Sequence, residues 1–487
     1  MIDDISHQEV VIVRLDRTIQ TTLKTLDSPI KSGNDINLFH YGSDRKLQVK
    51  RRYSLIALIL VIIITSFFSV DSVSAEVLTL SEGLRLVTQN SRLIRISLGD
   101  EKISEADSWI EKARLYPTVN AAASGKMLAH QPGAVFGDLS VPMSQKDFYA
   151  YSLNIRQTLY DFRENASRYG SSKMKVEARK LDTRRVRNLA AIEFAVIYFD
   201  ILESEKMVYV AEKEVERLGS HLRDASNLYE EGAITKNDLL QAEVRLSDAR
   251  QRLLTAKTSR EINASRLNNS LARPLKTRVE VVDVREIPRE ILDIHMDMEK
   301  AWEAAEKQRP EIQIVDTTLR SLDLDEEAKK AEFYPKLFAE GSYDYTQNRY
   351  QTAQGNWAAT LGLGINLFSG GKTKAEVAKV RFQKEKLIEQ RSQLVDEIKL
   401  EVEKYVLDSK NARERVQVTK GAVRQAEENL RINRVRYTEG VGTATEVLDA
   451  VTLLSIAETN YYRSVYDLGK AEISVLYAIG KDLMEVY

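Results

Sequence analysis

The chain has 487 residues, with 71 Lys and Arg against 72 Asp and Glu. That near-neutral balance excludes the basic excess of a dedicated nucleic-acid binder. It contains no cysteine, which removes disulfides, thiolate metal sites, cysteine nucleophiles and a lipidated N-terminal cysteine.

Residues 1–44 are polar and irregular. Arg45-Lys46 and Lys50-Arg51-Arg52 then precede an apolar run over 54–70, and Val73-Ser74-Ala75 follow it. A basic flank, an apolar run and a small-residue exit read as a secretory signal, cleaved after Ala75. A retained membrane anchor over 54–70 is the alternative. Past residue 75 there is no other long apolar run, so a mature chain that crosses a membrane must do so with β-strands.

The eight prolines leave 143–273 and 336–487 free of proline. Proline costs about 3 kcal/mol inside a helix, so both spans permit very long helices, and two of similar length suggest a duplication. An offset of 208 pairs Glu231-Gly232 with Glu439-Gly440 and Leu159-Tyr160 with Leu367-Phe368. It also lays Leu239, Leu246, Leu253 and Leu267 on Val447, Leu454, Tyr461 and Val475. Upstream the offset is 218, pairing Tyr116-Pro117 with Tyr334-Pro335, so the first copy carries ten extra residues before Leu159.

The organisation expected is an N-terminal extension with signal or anchor (1–75), a first repeat (76–273), a linker with Pro274 and Pro288 (274–295) and a second repeat (296–487). Each copy opens with an amphipathic helix (77–114; 296–332). A Tyr-Pro and two alternating segments follow (117–127 and 149–160; 335–346 and 356–368). Next come a helix of more than sixty residues (163–228; 373–436), a Glu-Gly turn and a last helix (236–272; 444–479). Apolar residues at steps of seven predict a coiled-coil-like seam.

The alternating segments approach the roughly 9–11 residues of a tilted transmembrane strand. Tyr151, Leu153, Leu361, Leu363 and Ile365 are the expected lipid-facing positions. Four strands close no barrel, so several copies would have to share one.

LTLSEGLRLVTQN (78–90), the two Tyr-Pro pairs, INLFSGGKTKAEV (365–377) and RYTEGVGTATEVLDA (436–450), in this order and on this repeat, resemble the TolC-like outer-membrane efflux protein family. The resemblance implies a mainly α protein with transmembrane β-strands. Three subunits would share a twelve-stranded β-barrel, continued into the periplasm by a long α-helical barrel. It implies a homotrimer set in outer-membrane lipid, acting as an efflux or type I secretion duct. A periplasmic adaptor (membrane-fusion) protein and an inner-membrane transporter would be its partners, and no cofactor or metal is implied.

Glu446 and Asp449, three apart, share one helix face. They read either as a solvated first turn favoured by the helix dipole or, by the resemblance, as the acidic pair of the periplasmic constriction. On that second reading Asp238 is the equivalent acid of the first copy and Tyr437 a gate-stabilising tyrosine. The gate arginine of that family falls at Gly442, so no lock of that kind is expected. Glu231, Gly232, Glu439 and Gly440 mark the helical tips on which an adaptor would dock.

Gly370-Gly371-Lys372-Thr373 resembles the end of a phosphate-binding loop, but the first glycine required falls at Asn366. A strand-to-helix turn is expected there instead. With no nucleophile motif or metal cluster in the sequence, an enzyme is not expected. A non-channel periplasmic helical scaffold anchored by 54–70 is the competing class, and it leaves the matched alternating strands unexplained.

Overall fold

The computed structural model describes residues 76–283 and 297–486. The signal or anchor at 54–70 and its exit at Ala75 lie outside them.

The chain opens with β1 (Glu76–Leu78), α1 (Leu80–Asn90) and α2 (Arg92–Ala113). Thr79 caps α1, its hydroxyl accepting from the Glu82 amide at 3.2 Å. The single helix expected over 77–114 is therefore a short strand and two helices broken at Ser91. The second copy breaks at the matching place, between α5 (Met298–Gln308) and α6 (Pro310–Ala331). There the reason is visible in the sequence: Pro310 has no N–H and takes a first-turn position of α6.

Four long strands follow the Tyr-Pro pairs. They are β2 (Thr118–Met127), β5 (Asp147–Tyr160), β7 (Lys336–Thr346) and β8 (Gly355–Gly364), antiparallel in the order β2-β5-β7-β8. The ten extra residues of the first copy lie in this region, where β3 (Gly133–Phe136) and β4 (Leu139–Pro142) form a hairpin of their own. One boundary differs from expectation. β8 stops at Gly364, opposite the first residue of β7, so Ile365–Phe368 have no strand to pair with. Ile365 is thus half-exposed beyond the strand, not within it.

After β5 the chain enters α3 (Glu164–Glu230), and after β8 it enters α7 (Lys372–Thr438); each has 67 residues. At 1.5 Å rise that is about 100 Å. Both helices are entered through two left-handed residues, Phe162-Arg163 and Gly370-Gly371. The glycine pair is a turn, as its sequence suggested.

The return helices α4 (Lys236–Ser270) and α8 (Ala444–Ala478) have 35 residues each. Between α4 and α5, β6 (Val279–Val281) pairs in parallel with β1. The expected linker thus carries a strand. The Tyr198 hydroxyl sits 3.0 Å from the Leu78 carbonyl and 2.6 Å from that of Val282, fixing this pair to α3. A four-residue helix, α9 (Leu483–Val486), ends the described chain.

The main core joins α1, α3, β1 and the far ends of α4 and α8, around Leu84, Phe194, Tyr198, Leu267, Ile473 and Leu476. The ladder of sevens is buried at Leu246, Leu267, Val447, Leu454 and Val475, and half-buried at Leu239, Leu253 and Tyr461. Leu454→Ala is therefore expected to cost about 2–5 kcal/mol, as at a buried site, and Leu253→Ala clearly less. Thermal melts of the two variants check the order.

Candidate functional site at the helical end and the sheet

The helical end is built by two matched turns. Gly232 and Gly440 hold φ of +74° and +73°, the left-handed geometry that lets the chain leave a helix and that glycine adopts without strain. The Ala233 amide returns to the Leu228 carbonyl at 2.8 Å, and the Val441 amide to that of Arg436 at 2.9 Å. Glu231, Gly232, Glu439 and Gly440 are all exposed, at the tips of two helical hairpins.

The next helices start on capping boxes. The Thr235 hydroxyl accepts from the Asp238 amide at 3.3 Å, while the Asp238 carboxylate accepts from the Thr235 amide at 3.1 Å. Thr443 and Glu446 repeat this at 3.2 and 3.0 Å. Asp238 and Glu446 thus close the first turns of α4 and α8. The sequence signal for these boxes is Thr-x-x-acid just after a glycine turn. The Glu446 carboxylate also lies 3.8 Å from the Arg436 guanidinium, while Asp449, one turn on, is exposed.

Tyr437 is buried and packs with Leu228, Leu430, Ala444 and Val447. Its ring lies 5.1 Å from that of buried His221. Neither the Tyr437 hydroxyl nor the His221 Nε2 has a hydrogen-bond partner among the described residues. Burial pushes the tyrosine hydroxyl above its ordinary pKa, with the charges of Asp238 and Asp224 adding to the effect. Burial also lowers the His221 imidazole; the Asp224 carboxylate opposes this and the Arg434 guanidinium adds to it. A Cβ at Gly442 would lie 3.0 Å from the Arg436 Cβ and 3.1 Å from the Arg436–Tyr437 backbone, so any side chain there would crowd the end of α7.

A consequence is acid sensitivity. The folded state binds the His221 proton less readily than the unfolded chain does. Its stability is therefore full above the ordinary histidine range and falls as pH drops below about 6.5. Protease cutting near the tips should accelerate on acidification, and His221→Phe should flatten that response. An equal acid response in wild type and variant would remove His221 as its source.

Ion pairs not foreseen from the sequence bind the return helix α8 to α3. Arg217 grips the Glu458 carboxylate with two bonds of 2.7 Å, and Lys470 holds Asp200 at 2.6 Å and Glu203 at 2.8 Å. No sequence periodicity marks these contacts, because the partners are more than 240 residues apart.

At the other end, strand register sorts the sheet into two faces. Tyr151 lies opposite Tyr345 and Leu153 opposite Tyr343, while Leu361 lies opposite Ala339 and Leu363 opposite Leu337. Directly opposed residues share a face, so these four sequence-predicted positions stand on one apolar side. The Tyr151 and Tyr345 rings stack at 4.3 Å. The other side is polar: Asn154 donates to Glu340 at 2.6 Å, and Arg156 lies 3.8 Å from the same carboxylate.

Among the described residues no helix is long and apolar enough to cross a membrane, and no group of three or more His, Asp or Glu gathers to hold a metal. A sheet with one apolar and one polar face, standing on helices of about 100 Å, defines a subunit of a membrane channel with a long helical extension. The model of the family described as outer membrane efflux protein matches residues 67–273 and 302–481, and the chain belongs to that family. It is an outer-membrane efflux channel with a periplasmic helical portion, a transport protein of no enzyme family.

The alkaline protease secretion protein AprF of Pseudomonas aeruginosa is 20% identical over 415 residues, covering 81% of this chain and 82% of that relative. The fold is similar to that of the outer membrane protein VceC of Vibrio cholerae, with TM-score 0.71, 15% identity, and 82% and 96% of the two chains covered. It is likewise similar to the CmeC outer membrane channel of Campylobacter jejuni, with TM-score 0.71, 15% identity, and coverage of 82% and 85%.

Proposed function

We propose that three copies of this chain join their four-stranded sheets into one barrel and their helices into one periplasmic tunnel. The assembly then acts as the exit duct of an efflux or type I secretion system. The observation that carries this reading is the sheet itself: among the described residues its two outer strands, β2 and β8, have no partner on one edge, and membrane-spanning sheets must close. The name of AprF supports a secretion cargo. The two repeats, 76–273 and 296–487, are the two halves of each subunit's share.

An inner-membrane transporter would load the duct, and a periplasmic adaptor would seat on the tips at Glu231-Gly232 and Glu439-Gly440, where helical hairpins suit a coiled-coil partner. Recovery of a heat-modifiable trimer from outer-membrane fractions tests the assembly. Soluble or inner-membrane recovery would favour the scaffold reading instead.

Glu446 and Asp449 are the proposed constriction, with Asp238 behind them and Tyr437 supporting the turn. Threefold symmetry would place six carboxylates around one mouth. Like charges held close recruit cations, and screening within about 8–10 Å confines the effect to the mouth. The duct should prefer cations and be blocked by multivalent ones from the periplasmic side. Asp449→Ala should carry most of the loss, because Glu446 is already held by its cap and by Arg436. Reversal potentials in a salt gradient decide it. Wild-type selectivity in the Glu446→Ala, Asp449→Ala double variant would return both acids to plain helix-start roles.

A further inference from the structure

The two copies match element by element. α2 maps on α6 and β2 on β7 at an offset of 218; β5 maps on β8 and α3 on α7 at 208. The register matches too. Thr118 opposite Arg156 becomes Lys336 opposite Gly364, and Met127 opposite Asp147 becomes Tyr345 opposite Gly355. Inside the chain the copies are joined by β5 against β7 and α3 against α6. The same join applied once more sets β8 and α7 of one molecule against β2 and α2 of the next.

The face that α2 would offer is apolar and open: Ile96, Ile103, Trp109 and Ile110 are each 60–63% exposed. Ser321 and Ala328, the matches of Ile103 and Ile110 on α6, are buried. A second, independent observation is charge. At the α3–α6 join Arg168 holds Glu332 at 2.8 Å; within the second copy Lys329 holds the same Glu332 and, across to α7, Glu376, each at 2.9 Å. At these three positions the match carries the opposite sign: Glu376 for Arg168, Arg114 for Glu332, and Glu111 for Lys329. The other pair of the join, Lys175 to Asp325 at 3.0 Å, is not inverted, its matches being Gln383 and Asp107.

Inside the chain Glu376 is held by Lys329 and Arg114 by Glu111, each at 2.9 Å. With α7 of one copy set on α2 of the next, we infer that these two pairs join into one network through Glu376 of one copy and Arg114 of the next. This rests on the self-assembled channel proposed above and specifies its contact surface. The inversion also sets the order around the ring. A wrong join of α3 on the next copy's α2 would oppose Arg168 to Arg114, and one of α7 on the next copy's α6 would oppose Glu376 to Glu332; like charges so placed reject the wrong partner. The correct join predicts the strand register as well, with Leu361 of β8 opposite Gly125 of the next β2.

The cysteine-free chain allows a direct test. A Cβ at Gly170 would lie 3.2 Å from the Leu324 side chain, and the matched positions are Ala378 and Ala106. Full-length chain carrying both Ala106→Cys and Ala378→Cys, in outer membranes with a short bismaleimide, should give a ladder ending at a covalent trimer. Each single variant should give none, and a Gly170→Cys, Leu324→Cys chain should close on itself without a ladder. A trimer that persists on gentle gels but yields no ladder, while the internal pair closes, overturns this interface and leaves the channel reading standing. Absence of any oligomer overturns both. Arg114→Glu should lower trimer association about tenfold, three contacts acting together, and Arg114→Lys should retain most of it. Unchanged assembly in Arg114→Glu removes the charge pairing.

Discussion

Leu361→Arg is expected to remove most of the folded oligomer from the outer membrane. Leu361 lies on the apolar face of β8, between two aromatic zones. Tyr343 and Trp357, whose rings lie 4.6 Å apart, with Tyr151 and Tyr345, mark the zone away from the helices. Tyr160, Phe162 and Tyr334, stacked or edge-on at 4.7–4.9 Å, mark the zone where strands turn into helices. Such zones belong at the two membrane interfaces, which puts Leu361 near the midplane. An arginine on the lipid face costs about 2–4 kcal/mol there and about 0–1 near an interface. Leu363→Arg, two residues toward the helices and next to the strand end at Gly364, should therefore be the milder variant. Thr360→Arg, on the polar face opposite Glu340, should be nearly neutral in membrane terms. The readout is the heat-modifiable band in outer-membrane fractions. Equal yields of Leu361→Arg and wild type would overturn the assignment of this face to lipid.

The second large effect belongs to the core. Phe194 is fully buried, and its ring occupies the space left by Gly83; a Cβ at Gly83 would come within 2.1 Å of it. The ring also faces Tyr198 at 6.1 Å, and Tyr198 holds the β1–β6 pair through its hydroxyl. Phe194→Ala should cost about 3–5 kcal/mol, the transfer loss plus the cavity left behind. The loss should show as a lower thermal midpoint and as early proteolysis where α1 and α9 pack on α3. Gly83→Ala should also destabilise, because the ring is hemmed in and has nowhere to shift. Adding Phe194→Leu to it should recover part of that loss, the smaller side chain making room. A wild-type melt for Phe194→Ala would mean this cluster does not hold the fold.

Much of this architecture was legible in the sequence, for reasons that differ by element. The long helices and their turns announced themselves through absent prolines, a heptad ladder and two Glu-Gly pairs that recur at one offset. The strands were legible because one face must be apolar and the other polar, a period of two that survives without any alignment. The breaks at Ser91 and Pro310 leave the helical pattern on either side intact. Pro310 was a plain stop signal, but at Ser91 no side chain caps the break, so nothing in that copy spoke for it alone. The β1–β6 pair was invisible because it joins three-residue segments about 200 residues apart. The four residues after Gly364 look like strand in sequence and are not, because a strand ends where its neighbour does. At the helical end the acids were legible, and the first-turn alternative is the one their capping hydrogen bonds fit. Asp238 and Glu446 hold their own helix starts before they can face anything else, which leaves Asp449 as the less committed charge.

The β3–β4 hairpin occurs in one copy only, while the helices of the two copies have kept equal lengths of 11, 22, 67 and 35 residues. It leaves the sheet at the end remote from the helices, which in an outer-membrane protein with periplasmic helices is the outside of the cell. Added residues in a long helix would turn the rest of it by about 100° each, whereas residues added at the hairpin tip, Gly137-Asp138, turn no helix. This hairpin is thus the place where the molecule can vary in length, and the part that antibodies and phages would meet first. A foreign epitope inserted at its tip is expected to be displayed on intact cells, which antibody labelling of whole cells checks.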